Sequence, residues 1–329
     1  MTDTNSHKII IRNWLYFNAF MVFCMAIIGA VTRLTESGLS IVEWQPISGA
    51  LPPLNAAEWE RVFALYRETP EYQKINAGMS LDDFKNIFFW EWFHRLWGRL
   101  IGIVYALPLF FFWFKGWIPQ GYKKPLLGLL ILGGLQGVVG YVMVLSGLVD
   151  RPSVSHYRLA LHLSLAWIVF AALLWTGFSL ATITPKDTTF CRRRHGWTAF
   201  ALLFTTIIWG AFMAGTDAGL ISASWPMLHD SQFLPDAAIT FFALFSNPEV
   251  IHFTHRWIAA ITLFLVFVFA WRVKSPWLGG AVVTQFALGI WTALSGVSIH
   301  VAATHQAGAF IVTALLLCEL YKIRVTAQS

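Results

Sequence analysis

A chain of 329 residues with 57% hydrophobic and only 12% charged side chains, including 28 Phe and 17 Trp, is not a soluble domain. Its formal net charge of +6 is carried by the short flanks of apolar stretches, so no nucleic-acid partner is read from it. Cys24, Cys191 and Cys318 form no C-x-x-C pair and none lies in an outer loop, which excludes an outer disulfide.

The first apolar stretch, about 14–34, is long and lacks a small-residue cleavage site after a short core, so it reads as a span and not a cleaved signal. Residues 35–87 form a long acidic outer loop. In it Asn55-Ala-Ala-Glu58 reads as a capping box opening a helix with Trp59, Val62, Phe63 and Tyr66 on one face, an interfacial helix over the bundle mouth. Ser80-Leu-Asp-Asp83 caps the next helix, which becomes the second span at about 88–114. That span begins "FFWEWFHRLWGR", setting Glu91, His94 and Arg95 where ionisable groups are costly and seldom idle. Further spans follow at about 125–147, 159–182, 197–215, 250–271, 277–297 and 304–322. Backbone groups in lipid have to be satisfied internally, so an all-α integral membrane bundle of eight transmembrane helices is expected.

Lys8, Arg12, Lys123, Lys124, Arg192, Arg193, Arg194, Arg272, Lys322 and Arg324 fall on one side of the bilayer. The other side carries Arg33, Arg151, Arg158 and the bases of the acidic loop. The positive-inside rule then puts both termini in the cytoplasm. No Arg/Ser-rich transit segment is seen, which favours a bacterial inner membrane over a mitochondrion.

The chain repeats itself. Thr35-Glu-Ser-Gly-Leu39 returns 181 residues later as Thr216-Asp-Ala-Gly-Leu220, and Trp44 returns as Trp225 at the same offset, each with a proline close behind. "EWFHR" (Glu91–Arg95) matches "HFTHR" (His252–Arg256) at an offset of 161. "LQGVVGYVMVLSG" from Leu135 matches "TQFALGIWTALSG" from Thr284 at 149, and His162 pairs with His305 at 143. Constant offsets within blocks, changing in loops, indicate a duplicated four-helix unit, residues 1–190 and 191–329. An even number of spans per unit inserts both halves the same way, related by a pseudo-twofold axis along the membrane normal.

His94, His162, His255 and His305 each lie within about two turns of the outer end of an even-numbered span. A lone histidine there reads most simply as a satisfied core residue; four at one depth, generated by duplication, read as ligands. Two facing imidazoles hold a haem iron, giving one haem-sized site per half: His94 with His162, and His255 with His305. A di-iron carboxylate site lacks its glutamates, since Glu91-x-x-His94 occurs once, and no zinc signature is present. The second copy replaces Glu91 with His252, which suggests one reactive site and one electron-relay site. Glu91 is then a proton-moving group, or else an ion-pair partner of Arg95 or Arg99. Arg95 and Arg256 are placed to hold haem propionates, or to snorkel to lipid phosphate. Gly98, Gly102 and Gly308 let a flat macrocycle approach, or serve helix packing. His7, His156, His195 and His229 read as solvated, and His300 is left unassigned.

The motifs Thr32-Arg-Leu-Thr-Glu-Ser-Gly-Leu-Ser with Trp44-x-Pro46, Glu91-x-x-His94-Arg95, Gly215-Thr-Asp-Ala-Gly-Leu with Trp225-Pro226, His255-Arg256 and Thr304-His-Gln-Ala-Gly308 resemble haem A synthase, of the mitochondrial and proteobacterial branch that lacks the outer-loop cysteine pair. The resemblance implies oxidation of the C8 methyl of haem O to a formyl group by successive hydroxylations, giving haem A for terminal oxidases. It implies that His94 and His162 flank the substrate haem, that His255 and His305 ligate a resident haem b, and that Glu91 is the essential acidic residue. Haem sites near the periplasmic side, haem O synthase as a partner and a separate electron-transfer partner go with that reading. Oligomeric state is left open, a homo-oligomer included. The alternative is a di-haem b electron-transfer cytochrome linked to quinol.

Overall fold

The computed structural model describes residues 2–45, 48–148, 152–186, 189–229 and 232–325. Pro46 of the Trp44 motif and Arg151 of the outer loops lie outside the described residues, as does the side chain of Arg324. In chain order the helices are α1 (Thr2–Leu34), α2 (Ala56–Arg67), α3 (Pro70–Lys74), α4 (Leu81–Phe114), α5 (Lys123–Leu148), α6 (His156–Ser179), α7 (Phe190–Gly215), α8 (Ala243–Ser246), α9 (Pro248–Arg272), α10 (Pro276–Leu294) and α11 (Ile299–Val325). Among the described residues eight of these, all but the short α2, α3 and α8, are long and apolar enough to cross a membrane, and none is a strand.

Helix ends depart from the hydropathy reading where backbone and apolar stretch part company. α1 starts at Thr2, ahead of the apolar segment, because helical hydrogen bonding continues through its polar flank. α4 starts at Leu81, where Ser80 Oγ accepts from Asp83 N at 3.1 Å, so it projects beyond the span. α10 stops at Leu294, short of the expected end, as Gly296 and Val297 turn to positive φ.

Helices α1, α4, α5 and α6 pack in a ring, each on the next and α6 back on α1. Helices α7, α9, α10 and α11 do the same. The two rings meet through α6 on α7, α1 on α11, and α6 on α11. At the last of these contacts Trp167 stacks on Phe310 with centroids 3.7 Å apart, both side chains buried. In lipid such contacts gain by close packing and by hydrogen bonds made away from water. Gln306 Nε2 donates to Ala26 O at 2.7 Å, and Arg33 pairs with Asp217 at 2.7 Å, both across the two rings.

The first outer loop folds onto this bundle. Asn55 caps α2 by accepting from Glu58 N at 2.9 Å, as its sequence predicts. Glu58 does not complete the box; it turns to Arg61 at 3.1 Å. Phe63 and Tyr66 of α2 are buried against Phe84 and Phe88 of α4, burial worth roughly 1.5–3 kcal/mol per large side chain. Trp92 Nε1 donates to Ala50 O at 3.2 Å, and α3 rests on α5. The loop is thus a fixed cover over the first ring.

Candidate functional site

Each of the four histidines stands against a glycine of the neighbouring helix in its ring. A Cβ on Gly29 of α1 would lie 3.1 Å from His94 Cε1, and one on Gly140 of α5 would lie 2.8 Å from His162 Cε1. In the second ring a Cβ on Gly210 of α7 would lie 3.3 Å from His255 Cε1, and one on Gly289 of α10 would lie 2.9 Å from His305 Cε1. Any larger residue would push the imidazoles out of place. One histidine of each ring also has its backbone carbonyl bonded by a glutamine of the neighbouring helix. Gln136 Nε2 donates to His162 O at 3.0 Å, and Gln285 Nε2 donates to His305 O at 2.8 Å with His305 Nδ1 3.1 Å away.

The imidazoles are left with spare ligating capacity. His94, His162 and His255 each have a buried Nδ1 with no hydrogen-bond partner. Buried polar atoms are ordinarily satisfied, so these unpartnered nitrogens, together with His252 Nδ1 one turn before His255, leave the imidazoles open to a further partner. His94 and His162 stand on α4 and α6 of the first ring, and His255 and His305 on α9 and α11 of the second. His162, His255 and His305 sit about two turns into their helices, while His94 sits about four turns into the longer α4.

A haem fits these residues on two counts: a pair of neutral nitrogen donors from different helices, and glycine backing that lets the ring sit close. A bare di-iron or zinc ion fits less well, since among the described residues no carboxylate or thiolate joins either pair as a ligand cluster. Among the described residues the cluster able to hold an ion is His229, Asp236 and Glu249, outside the four histidines.

Glu91 lies one turn before His94, is 3% exposed, and has both carboxylate oxygens occupied. Oε2 accepts from Ser40 Oγ and from Ile41 N, each at 2.8 Å, and Oε1 accepts from Arg95 Nη2 at 2.6 Å. The i, i+4 spacing of a helix brings Arg95 to it. Arg95 also donates to Ile41 O at 3.0 Å and lies over the Trp44 ring at 5.3 Å. In the second ring Arg256 Nε donates to His252 Nε2 at 2.9 Å, Nη1 donates to Met227 O at 2.9 Å, and the guanidinium lies over Trp225 at 5.6 Å. Arg256 is buried, and its Nη2 has no partner. Arg99 reaches Gln45 O at 2.9 Å.

The sequence model of the cytochrome oxidase assembly proteins (COX15-CtaA) matches residues 12–317, which take in both rings, the four histidines and Glu91. The chain belongs to this family. A heme A synthase of Rhodospirillum centenum is 47% identical, over 94% of this chain and 87% of the relative. One from Agrobacterium fabrum is 46% identical over 92% and 87%, and one from Parvibaculum lavamentivorans 41% over 98% and 96%.

The glycines that stand against the histidines are not Gly98, Gly102 or Gly308. Gly102 has nothing within 4 Å of an added Cβ, Gly98 faces Met25, and Gly308 backs onto the Gln285 side-chain amide. Gly29, Gly140, Gly210 and Gly289 were the missed residues, with Gln136 and Gln285. The signal was present, because 29 and 210 keep the 181 offset and 140 and 289 keep the 149 offset. Nor are the outlying histidines simply solvated. His156 Nε2 meets Phe245 O at 3.0 Å, His195 Nε2 meets Leu265 O at 3.0 Å, His229 pairs with Glu249 at 2.7 Å, and His7 stacks on Trp117.

Proposed function

We propose that this protein is a haem A synthase of a bacterial inner membrane, an oxidoreductase that converts the C8 methyl of haem O to a formyl group. The supporting observation is that two imidazole pairs share one architecture while a buried carboxylate accompanies only the first. On this reading the rings are the two copies of a duplicated unit, residues 1–190 and 191–329, with both termini cytoplasmic and the sites near the periplasmic side.

His94 and His162 hold the substrate haem O. His255 and His305 hold a resident haem b, which supplies one-electron chemistry when bound. Glu91 is the acidic group beside the substrate; Arg95 and Ser40 hold its carboxyl group in place, and it is that carboxyl group that exchanges protons, Arg95 staying protonated throughout. Arg256 carries the opposite bias. Its neighbour His252 is uncharged when accepting from Nε, so a buried cation is left seeking an anion, and a haem propionate meets that need. Haem O synthase and a separate electron-transfer partner complete the reading.

A second reading is a di-haem b electron-transfer cytochrome, favoured by the near-identical glycine and glutamine support of the two pairs. Haem extraction and chromatography on the purified protein, made with and without haem O synthase, separates the two. Haem b throughout, with haem O and haem A only when the synthase is present, is expected. Two haems b per chain in both preparations would replace the first reading with the second.

A further inference from the structure

The two rings differ a second time, below their histidines. On α5, Gly137 and Gly133 fall one and two turns deeper than Gly140, on the same side of the helix. Buried Leu126 and Leu129 share that side, while the exposed Ile131, Val138 and Val142 mark the opposite one. A Cβ added to Gly133 or Gly137 would meet nothing within 4 Å, and the same holds for Gly102, two turns deeper than His94 on the neighbouring α4. Glycine is a poor helix former, and at a helix interface it serves by letting a neighbour come close. No neighbour comes close to these three, so open room is what they provide.

The matching positions of the second ring are filled. At the 149 offset Gly133 corresponds to Val282 and Gly137 to Phe286, and at the 161 offset Gly102 corresponds to Leu263. Val282 is 4% exposed and part of the hydrophobic core, and Leu263 packs against that core. Phe286 meets the Trp225 ring with centroids 5.7 Å apart. The glycines that back the histidines, Gly140 and Gly289, are common to both rings, so the rings differ in the room beneath the imidazoles and not in the support behind them. Gln136, beside Gly137, also keeps a buried Oε1 with no partner, an acceptor for a ligand hydroxyl. Gln285 Oε1 is in the same condition, so this acceptor does not distinguish the rings.

Haem O carries a long hydroxylated isoprenoid chain where haem b has a vinyl group. Charged propionates favour the polar mouth of a bundle, which sends the chain inward. In hydrocarbon that chain gains little by leaving lipid, so a choice between the two haems rests on room and on clash. We propose that Gly102, Gly133 and Gly137 form the slot for the isoprenoid chain of haem O. Leu263, Val282 and Phe286 close the same slot in the second ring and reserve it for a haem without the chain. These residues determine specificity and make or break no bond. The inference rests on the haem A synthase reading, and its test separates the two.

The experiment titrates haem O and, separately, haem b into the full-length protein purified from cells without haem O synthase. His94→Ala identifies the signal that belongs to the first ring, and the resident haem b spectrum checks folding. Gly133→Val and Gly137→Phe carry the second-ring residues into the first. Each should lower the affinity for added haem O by about 10-fold or more, the cost of forcing chain atoms into filled space. Affinity for added haem b and the resident haem b content should stay as in wild type. The reverse pair, Val282→Gly with Phe286→Gly, should let haem O replace part of the resident haem b in cells that make it. Unchanged haem O affinity in both first-ring variants overturns the slot, as does an equal loss of both haems, which would make the glycines packing residues. A wild-type chain that binds haem O in this way yet forms no haem A removes the synthase reading and leaves the slot standing.

Discussion

The two rings hold their histidines in the same way and differ one helical turn earlier, at Glu91 and His252. In the first ring a carboxylate and a guanidinium cancel, Glu91 against Arg95 at 2.6 Å, and the outer segment from Ser40 closes down on the pair. In the second, Arg256 meets a neutral imidazole and a carbonyl, and one of its nitrogens is left over. The support behind the histidines is alike in the two rings and the charge beside them is not. One difference on a like framework therefore separates a charge-balanced acidic pocket from one whose guanidinium keeps a nitrogen without a partner.

Breaking the histidines should separate the rings most sharply. His255→Ala or His305→Ala should remove the resident haem b almost completely, seen as loss of its absorbance in the purified protein. His94→Ala or His162→Ala should leave that spectrum in place and abolish haem A formation. Equal haem b loss from all four would make the rings equivalent and the comparison false.

Next in size is the acid. Glu91→Gln should lower haem A formation by about 10²–10⁴-fold, the range for a lost acid–base group, with haem b retained. Glu91→His, which copies the second ring into the first, should be no better. Wild-type turnover from either variant would reduce Glu91 to an anchor for the Ser40 segment.

Glycine replacements should give a graded result. Gly140→Ala and Gly289→Ala put a methyl group 2.8 and 2.9 Å from the imidazoles of His162 and His305. A displacement of about 1 Å at a reacting centre can cost about 10²-fold. Gly140→Ala should therefore cut turnover, Gly289→Ala should cut haem b content, and Gly210→Ala, at 3.3 Å, should do less than either. Uniform effects would mean that the imidazoles move freely.

The smallest effect belongs to the link across the rings. Arg33 and Asp217 pair at 2.7 Å, but Asp217 is 55% exposed. Asp217→Asn should cost less than about 1 kcal/mol of stability, as exposed ion pairs do, and should leave both haem readouts unchanged in a thermal melt followed at the haem band.

Much of this architecture is legible along the chain because its causes are local. Eight spans follow from the length of helix that hydrocarbon requires, and the caps at Asn55 and Ser80 follow from side chains that reach the next backbone N–H groups. The pairing of Glu91 with Arg95 is one turn of one helix, and the sequence offers it as one of two readings. What is not legible is what stands behind each imidazole. Gly98 and Gly308 look favourable by nearness in sequence, yet the glycines that touch the histidines come from other helices, at separations only packing can bring together.

By itself, then, the sequence determined the eight helices, the four histidines and the motifs that recur at fixed offsets, because hydrophobic length and residue identity act along a single helix. Tertiary structure alone decided that Gly29, Gly140, Gly210 and Gly289 back those histidines, and that Ser40 and Ile41 close over Glu91. These depend on which faces of distant segments meet, and close packing rather than local pattern settles that.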